Sequence, residues 1–319
     1  MKLFEEDIFV PSAVSFENIA TIAEHQSILA ERRICELSEM ATAAVSYLSE
    51  LSEGGMPVAD GLSLLSMESA DPPPIHAEAL ERSLPYLQFH QKTISSMDKT
   101  VFISLLVERL SAVGLCPREV DFLPPSQAGE VFTYVKNLYA DEAYDVFSQS
   151  FEDPRLFYSE SLKDAIAAVA EGRAGYCLLP LEEKGGVRLA SVSQMLYQSD
   201  LRIASVTPVY GYGEQTDLTY ALISQGFFIP PVESEDDRYL ELRIPKEGFS
   251  LSELLLAAES FDTEVYRIHT LQLERGGESR PFYSLVLRAE GRDFVCLLMY
   301  LFTFVRDFSL VGIYSNLET

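Results

Sequence analysis

The sequence predicts a multidomain chain of mixed α/β and α+β class. It reads as a helical domain over residues 1–115, a single α/β lobe with a mostly parallel sheet over 118–230, and a βαββαβ domain over 238–319. Three observations predict this. Apolar residues recur at helical spacing before residue 115, and short apolar runs alternate with helical stretches after residue 118. A breaker, Pro230-Pro231, and an acidic run, Glu233 to Asp237, then open a third pattern. A chain of 319 residues is long enough for two or three such units.

In the first segment Ile19, Ile22, Ala23, Ile34, Leu37, Met40, Ala44, Val45 and Leu48 share helical spacing, and Gly54-Gly55 stops that helix. Pro72-Pro73-Pro74 breaks the chain, and a further helical stretch covers about His76 to Leu110. In the second segment Val120 to Leu123 reads as a strand and Gln127 to Tyr139 as an amphipathic helix. Leu156 to Tyr158 is a strand, Leu162 to Glu171 a helix, and Ala174 to Leu179 an apolar strand ended by Pro180. A short helix at Val192 to Tyr197 and strands at Leu201 to Val209 and Leu218 to Ser224 complete it. The third segment reads Tyr239 to Ile244 strand, Ser250 to Phe261 helix, Glu264 to Leu273 strand, a turn at Gly276-Gly277, Pro281 to Ala289 strand, Phe294 to Val305 helix and Leu310 to Tyr314 strand. That order is a ferredoxin-like split unit.

Composition narrows the function classes. The chain carries 24 Lys and Arg against 49 Asp and Glu, a formal net charge of -25. A nucleic-acid binder or a ligand of anionic membranes needs the opposite balance, so neither partner is expected. Cys35, Cys116, Cys177 and Cys296 are scattered and read as buried thiols of a reducing compartment, without metal-ligand spacing. The start, MKLFEEDIFVPS, has acids where an export signal has cations, and Phe294 to Val305 falls far short of the ~20 apolar residues that span a bilayer. A cytoplasmic location follows as the expectation. Gly211-Tyr212-Gly213 has no helix start after it, so it is no phosphate loop, and no cofactor is expected.

The stretch SLKDAIAAVAEGRAGYCLLPLEEKGGVRLASVSQML, Ser161 to Leu196, resembles prephenate dehydratase. Val169, Gly172, Ala174, Tyr176, Pro180, Leu181 and Glu182 fall in step with that family's pattern around its Pro-Ile-Glu-Asn run. Residues 33–60 are faintly similar to the first long helix of chorismate mutase, and the βαββαβ order fits an ACT domain. The domain order thus looks like that of the bifunctional chorismate mutase/prephenate dehydratase. The departures bear on activity. Thr207 to Asp217 stands where the family has a second lobe, and the Thr-Arg-Phe motif reads Thr219-Tyr220-Ala221. The family's arginine grips a substrate carboxylate, and Tyr220 brings no charge. Glu183 replaces the asparagine, and Pro124-Pro125-Ser126-Gln127 lacks the glycines of the entry loop. Residues 1–91 hold four cations, Lys2, Arg32, Arg33 and Arg82, against fifteen acids, a poor basis for gripping the chorismate dianion.

The resemblance therefore implies a divergent, non-catalytic relative with a binding or regulatory role in aromatic (phenylalanine) amino-acid biosynthesis. An active prephenate dehydratase or chorismate mutase is the alternative, with Thr219, Tyr220 and Glu182 as the vestigial catalytic candidates. The family's phenylalanine-sensing loop corresponds to Ser252-Glu253-Leu254, with His269 on the following strand. An amino acid or small carboxylate is expected there, its carboxylate at the helix start. ACT domains pair, and the helix Phe294 to Val305 is apolar most of the way round, which calls for two partners. A homodimer with that helix or its sheet in the interface is the expectation.

Overall fold

Helix α1 (Ala13–Glu53) is 41 residues long and buries one stripe of its second half. The computed structural model describes residues 13–66, 94–126, 129–183, 186–210, 218–231, 237–247, 250–290 and 292–315. The Pro72–Pro74 break and the first part of the helix expected from His76 lie outside them. In α1, Leu37, Met40, Ala41, Ala44, Val45, Leu48 and Leu51 repeat every three or four residues and are buried, whereas residues 23–32 are exposed. Gly55, at a φ of 86°, ends the helix in the left-handed region that glycine adopts without strain. Helix α2 (Val58–Ser66) follows. Helix α3 (Ser96–Ala112) begins with a capping box. The Ser95 hydroxyl accepts from the Asp98 amide at 3.3 Å, and the Asp98 carboxylate accepts from the Ser95 amide at 3.1 Å. Arg33 of α1 also reaches Asp98, at 3.1 Å, and joins the two helices.

Two elements differ from expectation between residues 118 and 139. Val120 to Leu123 is no strand: Glu119–Phe122 forms a single helical turn, α4, with the Asp121 carboxylate accepting the Arg118 amide at 2.7 Å. Four residues are too few for a period to separate the two states. Gln127 to Tyr139 is no helix: strand β1 (Val131–Tyr134) is followed by α5 (Leu138–Ser148). Asn137 caps α5 by accepting the Ala140 amide at 2.9 Å. The apolar spacing that read as one helix spans a strand, a cap and the start of a helix.

Strand β2 (Arg155–Tyr158), α6 (Leu162–Ala170), β3 (Tyr176–Glu183), the short β4 (Val187–Arg188), α7 (Ala190–Ser199), β5 (Arg202–Val209) and β6 (Leu218–Ser224) complete the middle segment. Pro180 does not end β3. It sits beside a register shift between Pro180 and Glu182, where a bulge accommodates the missing N–H. Strands β7 (Arg238–Pro245), β8 (Glu264–Arg275), β9 (Glu278–Ala289) and β10 (Ser309–Ser315) come with α8 (Leu251–Ser260) and α9 (Val295–Phe304).

Among the described residues ten strands form one sheet, ordered β2-β1-β3-β6-β5-β10-β7-β9-β8, with β4 on β3. The middle part is mixed rather than mostly parallel. β2, β1 and β3 run parallel, but β6 is antiparallel to both β3 and β5. The part β10-β7-β9-β8 is antiparallel throughout, the arrangement of a split βαββαβ unit. The two parts join where β10 runs parallel to β5, with Gly312 opposite Ile203. A Cβ at Gly312 would stand 2.6 Å from the Ile203 carbonyl oxygen, so this join needs glycine.

Helices α6 and α7 cover one face of the middle strands and α5 the other. Helices α8 and α9 cover the inner face of the β7–β10 part, and α1, α2 and α3 stack on them in one shared core. The two partners that the apolar α9 requires are therefore the sheet beneath and the chain's own N-terminal helices above. Val295, Leu297, Leu298, Met299, Tyr300 and Leu301 are all buried within a single chain, so the apolarity of α9 is no sign of a subunit interface.

The turn α4 is fastened to this core by a buried ion pair. Arg238 is fully buried and pairs with Glu119 through two bonds of 3.1 and 2.6 Å. Glu119 also accepts the Phe294 amide at the start of α9, at 2.8 Å. Replacing Glu119 with Ala leaves a buried guanidinium uncompensated. Urea denaturation should show a loss of about 3–5 kcal/mol. Glu171→Ala, which removes one partner of the exposed pair with Arg173, should change stability by less than about 1 kcal/mol.

Candidate functional site

Strand β3 carries Glu182 and, through a tight turn, β4 returns with Arg188 beside it. The turn favours Gly186 because its φ of 76° strains any L side chain, and a Cβ there would also force the Arg267 guanidinium to shift. Across the join, β7 carries Glu241 on the same face. Arg188 donates to Glu241 at 2.6 Å and lies 3.4 Å from Glu182, and the three side chains are 4, 1 and 9 % exposed. Arg267 of β8 closes the chain by donating to the second Glu182 oxygen. Glu241 also accepts from the Ser284 hydroxyl at 3.2 Å and from the Tyr314 hydroxyl at 3.2 Å. Burial alone would drive the Arg188 guanidinium down, but Glu241 and Glu182 more than offset it and hold it charged. Burial and the Glu241 carboxylate push the Tyr314 phenol up, so it stays a donor.

At the Arg267 end this charge chain opens into a cavity of about 460 Å³. Tyr210, Tyr239, Tyr266 and Tyr314 provide its aromatic wall, and Leu181, Val206, Pro208 and Val286 its aliphatic wall. Thr219 contributes a hydroxyl, and Glu182 and Arg267 are its charged groups among the described residues. Burial and the neighbouring Asp237 and Tyr266 push the Tyr239 phenol to about 12.

The structure thus brings Thr219 and Glu182 together and turns Tyr220 away. Thr219 faces the cavity opposite Glu182, while Tyr220, the next residue on β6, is buried on the other face and lies 3.3 Å from the Asn137 side-chain oxygen. Ser252, Glu253, Leu254 and His269 do not converge. Ser252 is exposed, Leu254 is in the core, and Glu253 pairs with Lys99 of α3 at 2.9 Å, so α3 stands at that helix start. His269 pairs in register with Ser284, whose hydroxyl points to Glu241, and therefore lies on the face opposite α8. Its Nε2 is buried without a partner.

Sequence reasoning missed Arg188, Glu241, Arg267 and the four tyrosines. One signal was available: YLELRI alternates apolar residues with Glu241 and Arg243, so the second face of this strand carries charge, and a carboxylate buried there calls for a buried cation. The cysteines also differ from expectation. Cys177 is buried and Cys296 half-buried, but Cys35 and Cys116 are exposed. Cys35 lies on α1 just before its buried stripe, and Cys116 in the connection ahead of α4. No described helix is long and apolar enough to cross a membrane, and no group of three or more His, Cys, Asp or Glu among the described residues is placed to hold a metal.

No protein-family model matches this chain, and no curated protein matches it in sequence. Solved structures overlap it at low identity. GqqA, described as a novel type of quorum quenching acylase, aligns at 16 % identity over 59 % of this chain and 96 % of its own, with a TM-score of 0.45. The prephenate dehydratase of Streptococcus mutans aligns at 14 % identity over 58 % of this chain and 98 % of its own, with a TM-score of 0.44. The prephenate dehydratase of Arthrobacter aurescens in complex with L-Phe aligns at 12 % identity over 58 % and 89 %, with a TM-score of 0.41. These are distant likenesses of fold, and the chemistry must be read from the residues of this chain.

His269 gives the charge chain a pH signature. Its imidazole is pushed below the ordinary value by burial first and then by the Arg188 guanidinium, against Glu182 and Glu241. A base whose pKa falls on folding binds more protons when unfolded, so stability drops as the pH falls through its unfolded value of about 6.5. Urea melts between pH 8 and 5.5 should show that decline, and His269→Gln should flatten it. An equal decline in the variant would remove His269 from the effect.

Proposed function

We propose that this chain is a non-catalytic, ligand-binding relative of prephenate dehydratase that takes a small aromatic amino acid in the tyrosine-walled cavity and serves regulation of aromatic amino-acid biosynthesis. The observation that carries the reading is the cavity itself: about 460 Å³, aromatic on one side, with one carboxylate and one guanidinium among the described residues that line it. Glu182 and Arg267 now satisfy each other. A zwitterion entering between them offers its carboxylate to Arg267 and its ammonium to Glu182, so every charge keeps a partner. Its ring would stack against the tyrosines. Prephenate and chorismate, each with two carboxylates, would bring two negative charges to one guanidinium that already has Glu182 beside it. The resemblance of residues 161–196 supports the family side of the reading, and the placement of Tyr220 behind the sheet supports the non-catalytic side.

Thermal melts with L-phenylalanine, L-tyrosine, prephenate and chorismate test it. Either amino acid should raise Tm, since a ligand at 100 times its dissociation constant stabilises by about 2.7 kcal/mol. Arg267→Met should abolish the shift, and Tyr220→Phe should leave it intact. Turnover of prephenate or chorismate that Thr219→Val eliminates would replace this reading with the catalytic one. A shift retained in Arg267→Met would move the ligand elsewhere.

A further inference from the structure

A second cavity, of about 360 Å³, lies where three parts of the chain meet. The helical layer contributes Phe122 of α4, and α9 contributes Phe302. The middle segment contributes Arg202 of β5 and Phe227 just past β6, and Phe308 stands at the entry to β10. The volume falls in the ~300–1,000 Å³ range of small-molecule pockets. The phenyl rings form a continuous aromatic wall. Phe122 and Phe302 have ring centres 5.3 Å apart at 57°, and Phe302 and Phe308 have theirs 5.2 Å apart at 81°.

Among the described residues that line this cavity, Arg202 is the charged one. Its guanidinium lies 5.7 Å from the centre of the Phe227 ring, and its side chain is 20 % exposed. Nη1 donates to Asp200 at 3.0 Å and to the Leu201 carbonyl at 3.5 Å. Nε and Nη2 donate to no described residue, so the side edge of the guanidinium is open. Asp200 is 64 % exposed and does not line the cavity. Water therefore shares its charge, and Arg202 remains the cationic end of an otherwise aromatic space.

We propose that this cavity binds a small aromatic monocarboxylate, its carboxylate on the Nε–Nη2 edge of Arg202 and its ring against Phe302 and Phe308. The two N–H groups of that edge match the two oxygens of a carboxylate. Asp200 already holds Nη1, so the site takes one further negative charge and disfavours a dianion. The ring displaces water from apolar surface and meets aromatic edges and faces. Such a ligand joins the helical layer to the sheet at the end of the β5–β10 contact. The inference does not rest on the reading of the tyrosine cavity, because no residue is shared. A carboxylate without an ammonium group would compete there with Glu182 for Arg267 and leave Glu182 uncompensated, so the two cavities select different ligands.

The test uses the full chain and 3-phenylpropanoate, with 3-phenylpropanamide and butanoate as probes that lack the charge and the ring. Isothermal titration at constant ionic strength should show one saturable site for 3-phenylpropanoate, with a matching rise in Tm. Each of the other two probes should bind at least about tenfold more weakly. Arg202→Gln should weaken 3-phenylpropanoate binding about tenfold or more, yet melt close to the parent, because the exposed pair with Asp200 contributes little. Should Arg202→Gln fail to fold, Arg202→Lys keeps the charge but loses the edge, and should bind at least about tenfold more weakly. Arg267→Met, which disables the tyrosine cavity, should leave 3-phenylpropanoate binding unchanged. The proposal is overturned if 3-phenylpropanoate gives neither heat nor a rise in Tm, if the amide or butanoate binds as tightly, if either Arg202 variant binds like the parent, or if Arg267→Met removes the binding.

Discussion

Arg188 stands between two carboxylates, Glu182 on its own hairpin and Glu241 across the join of the sheet, and all three are shut away from water. Each charge is tolerable only while the others are in place, since a buried ion left without its counter-ion is strongly destabilising. The constraint is positional as well as energetic. β5 and β10 meet at Gly312 and Ile203, a short parallel contact, so little backbone pairing fixes one part of the sheet against the other. The charge chain adds that fixing. A slip of β7 by one residue would turn Glu241 to the opposite face, into the apolar core under α8 and α9. Because Arg188 occupies one side of Glu182, Arg267 meets the other, and the tyrosine-walled cavity lies where that pairing ends.

The same economy governs the helical layer. Helix α9 is apolar around nearly its whole circumference and must be covered on two sides. The sheet covers one, and α2 and α3 cover the other, with α1 packed on them. The Arg238–Glu119 pair then holds the connection between helical layer and sheet at the first turn of α9, where Glu119 also accepts a free backbone amide. Among the described residues the buried charge is balanced, with Glu119, Glu182 and Glu241 inside together with Arg188, Arg238 and Arg243, so the strong negative net charge says nothing of the chemistry in the interior.

The sequence by itself determined most of the elements. Periods of two and of about 3.6 are local properties, so the strands at 202–209, 218–224 and 238–245 and the helices at 162–170, 251–260 and 295–304 follow from side-chain alternation and caps such as Ser161. Two short segments were misassigned, α4 and β1, because four residues are too few for a period to separate helix from strand, although β2, equally short, was read correctly from its apolar run. The resemblance pointed to Thr219, Tyr220 and Glu182 together, and of these Thr219 and Glu182 line one cavity while Tyr220 faces away from it. Tertiary structure decided what stands beside them. Arg188, Arg267 and Glu241 come from three separate strands, and their approach depends on strand order and register, which no local period encodes. It also decided that His269 and the start of α8 lie on opposite faces of the sheet, because a bulge between Val265 and Arg267 resets the alternation of β8. That α9 finds both its partners inside its own chain was likewise a matter of packing, since apolar surface specifies that it must be covered and not by what.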